Sequence, residues 1–128
     1  MPLGTPSERT GDVKRIDLAP PAGAADGKVV DVLLDEGAVK VRRVALASGA
    51  AIPPCRMRED VVFVVLSGRV TFREGDQVET VGAPGAVFIP GGAAERSMRA
   101  EEPSLVCAVL CRGTKDARRR SRGVGGTA

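Results

Sequence analysis

The chain has 128 residues, 43% of them hydrophobic and 27% charged, the balance of one soluble globular domain large enough to bury a core. It contains no His, Tyr or Trp, which excludes Ser-His and Cys-His catalysis in their usual forms and removes the commonest nitrogen ligand of transition metals. The net charge of +3 divides unevenly: residues 112–128 carry six basic side chains against one acid, while the other 111 residues carry 13 basic and 15 acidic ones.

Residues 1–12 are polar and rich in Pro and Gly, and are expected to form a flexible arm. VKRIDLA (13–19) reads as a first strand, and PPAGAADG (20–27) as a loop. KVVDVLLD (28–35) and VKVRRVALA (39–47) are strands separated by a turn at Glu36-Gly37. Pro53-Pro54 blocks any helix after Ser48-Gly49. VVFVVL (61–66) is β-branched and aromatic, and Ser67-Gly68 ends it. RVTFRE (69–74) alternates as a strand with one wet face should, then turns through Gly75-Asp76 into VETV (78–81). AVFIP (86–90), ERSMRA (95–100) and SLVCAVLC (104–111) complete the series.

Many short strands at close spacing with no long helix argue an all-β domain over residues 13–111. The basic tail, 112–128, has too few apolar residues to pack and is expected to be disordered. No apolar run reaches the roughly 20 residues that span a bilayer, and the N-terminus lacks a signal peptide's apolar stretch. A cytoplasmic protein without membrane association is expected, with Cys55, Cys107 and Cys111 as reduced thiols. On one extended strand, Cys107 and Cys111 stand ~13 Å apart, too far for a disulfide.

GAAIPPCRMREDVVFVVLSG (49–68) and PGAVFIPGGAAERSMR (84–99) resemble the two motifs of the cupin superfamily, joined by FVVLSGRVTF. Gly49 and Gly68 stand at the ends of the first motif, and Pro90 and Gly92 keep the second motif's Pro-x-Gly. The resemblance covers about residues 28–111 and implies a single-domain jelly-roll β-barrel. It also implies a metal held by three histidines and a glutamate, but Cys55, Met57, Val61 and Glu95 occupy those positions here. Arg99 stands for a following asparagine.

On this resemblance and on strand parity, Cys55, Met57, Val61, Phe63, Glu95, Ser97 and Arg99 are expected to line the cavity. The leading expectation is a pocket for a small organic ligand, with no metal and no cofactor, because valine coordinates nothing and thioether is a weak ligand for most divalent ions. A second reading keeps a soft metal on Cys55, Met57 and Glu95. A third is metal-independent chemistry of the isomerase, cyclase or lyase type, with Cys55 as nucleophile and Glu95 as acid/base. There an arginine near Cys55 is needed to keep the thiol reactive. A structural module with a filled cavity is a further alternative.

The resemblance also implies a homodimer, since VVDVLL and LVCAVL are apolar at both parities and ask for cover on both faces. Arg42, Arg43, Arg56, Arg58 and Arg96 read as solvated strand faces, with Arg99 the inward exception. RRRSR, within tail residues 112–122, is the one candidate for nucleic acid. It is not favoured, because the body is acidic and its three phenylalanines sit in apolar runs.

Overall fold

The computed structural model describes residues 13–22, 27–92 and 94–112. Among them β1 (Lys28–Asp35), β2 (Val39–Leu46), β9 (Ser104–Cys111), β4 (Asp60–Ser67) and β7 (Gly85–Ile89) form a five-stranded antiparallel sheet in that spatial order. β3 (Ala51–Arg56), β8 (Glu95–Ala100), β5 (Arg69–Glu74) and β6 (Gln77–Gly82) form a four-stranded antiparallel sheet. No helix in the described residues is long and apolar enough to cross a membrane.

The inward faces follow the period-2 alternation. Val61, Phe63 and Val65 on β4, and Val70 and Phe72 on β5, are buried in one core with Leu46, Val106 and Leu110. Phe63 and Phe72 meet between the sheets with ring centroids 5.0 Å apart, a pair worth about 0.5–1.5 kcal/mol beyond its buried area. On β8 the buried residues are Arg96, Met98 and Ala100, and the apolar pair fixes which face turns inward.

Two elements differ from the sequence expectation. VKRIDLA is not a strand. Its alternation instead leaves Ile16 and Leu18 half-buried. Arg43 Nη1 donates to the Ala19 carbonyl at 2.8 Å, and Pro20 shares a groove with Ala45 and Leu105. The second difference is β3, which contains Pro53-Pro54 and was expected only to be non-helical. It lies at the edge of its sheet, where a residue without an N–H interrupts nothing beyond it. Ile52 pairs with Met98 and Cys55 with Arg96, so Pro53 and Pro54 stand opposite Ser97 alone, as a bulge.

The barrel is not closed. β7 and β6 are edges of different sheets, and a groove of about 430 Å³ runs between them, lined by Phe72, Glu74, Glu79, Phe88 and Ile89 among others. The arm, 1–12, and the tail beyond Arg112 lie outside the described residues. Arg112 itself ion-pairs with Asp35 and donates from Nε to the Gly37 carbonyl at 2.6 Å.

The motif glycines have separable roles. Gly68 has φ +87°, and a Cβ there would stand 2.3 Å from the Pro103 carbonyl oxygen. Gly91 has no left-handed φ, but its Cβ would stand 1.9 Å from the Arg58 carbonyl oxygen. The loop after β7 therefore lies directly on the loop before β4.

Candidate functional site

Those two loops, 57–59 and 90–92, are tied together at one end of the sheets. Gly91 N–H donates to an Asp60 carboxylate oxygen at 2.7 Å, and Gly92 N–H donates to the Met57 carbonyl at 3.2 Å. Arg96 fastens them from inside. Its Nη2 donates to the carbonyls of Glu59 and Pro90, both at 2.8 Å, and more weakly to that of Met57 at 3.4 Å.

Arg96 is 4% exposed. Its Nε and Nη1 are buried and have no hydrogen-bond partner among the described residues. Desolvation lowers the guanidinium pKa from its ordinary value, and the nearby acidic groups, Glu74 first and then Cys55, Glu59 and Asp60, offset only part of that. A buried cation bonded to three neutral carbonyls is an expensive group, several kcal/mol in desolvation alone.

Beside it lies an interior cavity of about 40 Å³, with almost wholly apolar walls. Ile52, Cys55, Met57, Phe63, Phe72 and Ile89 contribute to these walls, together with Arg96, Ser97 and Met98. Cys55 is itself exposed and faces Arg96 across the β3–β8 ladder, so the cavity reaches solvent beside the thiol. The arginine beside Cys55 is Arg96, its partner across the ladder.

Four of the seven expected lining residues converge here: Cys55, Met57, Phe63 and Ser97. Val61 is 1% exposed and packs in the core beyond the cavity wall. Glu95 and Arg99 do not line the cavity; both are exposed. Met98 and Ala100 take the inward positions of β8, and Glu95 and Arg99, of the opposite parity, turn away; Ser97 between them, opposite the Pro53-Pro54 bulge, is half-buried and still borders the cavity. The pairing of Cys55 with Glu95 as nucleophile and acid/base is therefore not assembled, since Glu95 pairs in register with Arg56.

Arg96 is the residue that sequence reasoning placed wrongly, on a solvated face. Its signal was the alternation Arg96-Met98-Ala100, which the spacing of the second motif overrode by putting Glu95 in the histidine's place.

The metal implied by the resemblance does not fit these residues. Val61 has no donor atom, Glu95 points away, and no group of three or more His, Cys, Asp or Glu among the described residues is placed to hold an ion. The guanidinium already puts a positive charge beside the cavity, which a second cation would oppose.

Two antiparallel sheets of five and four strands, packed face to face around a small cavity at one end, define a double-sheet jelly roll. Its particular form is the cupin fold. It is similar to an RmlC-like cupin from Desulfovibrio desulfuricans, at 18% identity and TM-score 0.68, over 78% of this chain and 97% of that one. A cupin superfamily protein from Desulfitobacterium hafniense matches at 12% identity and TM-score 0.64, over 77% and 98%. KdgF from Halomonas matches at 19% identity and TM-score 0.61, over 72% and 86%. At these identities the likeness is one of fold. No protein-family model matches the chain, and no curated protein is a significant match to it.

Proposed function

We propose that this protein is a metal-independent small-molecule-binding cupin whose ligand enters the interior cavity from the Cys55 side. The observation that carries this reading is the cavity itself: apolar walls, one polar side chain with unused donors, and an opening beside an exposed residue of an edge strand. A volume of about 40 Å³ takes a compact ligand, or the terminal group of a larger one whose remainder lies over Cys55 and β3.

Thermal unfolding against a panel of small organic compounds tests it. A true ligand stabilises the wild type saturably, by about 2.7 kcal/mol at a hundredfold excess over Kd. Ile52→Phe, which fills the cavity, abolishes that gain; stabilisation that survives Ile52→Phe places the ligand elsewhere and defeats the reading.

The same proposal includes a cytosolic homodimer joined through the outer face of the five-stranded sheet. Phe88, 58% exposed, neighbours the half-buried Val62, which in turn neighbours the half-buried Val109. This row supports an apolar contact with a second copy. Phe88→Asp then gives a monomer by light scattering, and an unchanged mass contradicts the dimer.

A further inference from the structure

We infer that the interior cavity is an anion site, in which the Arg96 guanidinium supplies the fixed charge and a small carboxylate group supplies the missing hydrogen-bond acceptors. The inference rests on reading this cavity as the ligand site, and it names the ligand's chemistry.

Three observations converge. First, Nε and Nη1 of Arg96 are buried and without partners among the described residues, and a buried donor left unsatisfied is destabilising. Second, the donors that are used bond to backbone carbonyls, which satisfy N–H groups without cancelling the charge. The negative groups around the site do not make up the deficit, because burial remains the larger influence on the guanidinium. Third, Arg96 borders the cavity, whose surface is almost wholly apolar and offers these donors no other partner.

A water molecule in the cavity meets the donors but not the charge. A carboxylate meets both, through charge-assisted hydrogen bonds about twice as strong as neutral ones. Size narrows the choice further. About 40 Å³ exceeds the roughly 10–15 Å³ that a single water needs and suits a small planar group of formate size. Sulfate and phosphate, tetrahedral and bulkier, fit such a space less well than planar formate. In the related fold the resident charge is a metal cation; here it is built into the chain, and the exchangeable ion is the anion.

Cys55 and Cys111 provide a reporter and its control. Both thiols are exposed, but only Cys55 lines the cavity. The full chain is alkylated with neutral iodoacetamide in sodium formate, or in sodium sulfate at equal ionic strength, and the rate at each cysteine is read by mass spectrometry. Formate is expected to slow Cys55 saturably, about threefold at twice its Kd, while Cys111 is unaffected. In Arg96→Gln the formate effect at Cys55 disappears.

Equal rates in formate and sulfate overturn the inference, as does parallel slowing of both cysteines. If Arg96→Gln does not fold, the comparison of the two cysteines in the wild type still decides. Protection of Cys55 by uncharged organic compounds but not by formate overturns the anion assignment while leaving the cavity as a ligand site. Protection by neither overturns both.

Discussion

Gly91→Ala tests the loop clasp that holds Arg96. The added methyl would lie 1.9 Å from the Arg58 carbonyl oxygen and 2.5 Å from its carbon, where ordinary contact begins at 3.4 Å. One loop must retreat by about 1.5 Å. That movement pulls on the Gly91–Asp60 bond at 2.7 Å and on the Arg96 bonds to Glu59 and Pro90 at 2.8 Å. Hydrogen bonds to charged groups contribute about 1.5–3 kcal/mol each, so losing one or two costs about 1.5–6 kcal/mol. This is a large share of the ~5–15 kcal/mol that holds a domain folded.

Gly92→Ala is the internal control. Its Cβ meets nothing within 4 Å, and its φ lies outside the left-handed region. A glycine at such a position gains about 0.4–1 kcal/mol on becoming alanine, through the unfolded chain. Urea unfolding of both variants gives midpoints that move in opposite directions, with an unchanged slope. Equal effects at the two positions would refute the close approach of the loops, and with it the placement of Arg96.

Phe72→Ala removes a ring that is 2% exposed and stacked on Phe63, and is expected to cost about 3–5 kcal/mol in urea unfolding; a loss below about 1 kcal/mol contradicts the inter-sheet core. Burial pushes the Cys107 thiol pKa up. The unfolded chain thus releases this proton first, so the stability it contributes is full below the ordinary thiol pKa of about 8.5 and is lost as pH rises through the folded value. Wild-type stability should fall more steeply above that pH than in Cys107→Ala, and parallel curves contradict it. Elemental analysis of protein purified without a His tag should find zinc and copper far below one per chain; near-stoichiometric metal lost in Cys55→Ser contradicts the metal-free site.

Much of the fold was legible because its signals were local. β4, β5, β8 and β9 announce themselves through β-branched runs, alternation and Ser-Gly or Pro-Gly punctuation. β3 was not legible, because Pro53-Pro54 is hostile to strands in general and tolerable only at an edge. The strand order that makes β3 an edge is a non-local fact. Ile16 and Leu18 misled in the opposite way, since their alternation leaves them half-buried in a segment that pairs with no strand.

At the site, Cys55 and Met57 were expected on the cavity wall from motif spacing, and Phe63 and Ser97 from strand parity, and all four border the cavity. Arg96 was not, because spacing and parity disagreed at Glu95, and burial of a charged residue runs against every compositional prior. Met98 and Ala100 on one side of β8 decide that disagreement, and the decision moves a carboxylate out of the cavity and a guanidinium in.

The central claim is that the charge in the interior cavity belongs to Arg96 and calls for an anion. Crystals grown or soaked in sodium formate test it most directly. The account predicts a planar three-atom density within hydrogen-bond distance of Arg96 Nε or Nη1, beside Cys55. A metal ion bonded to Cys55, or an Arg96 side chain turned out into solvent, would contradict it.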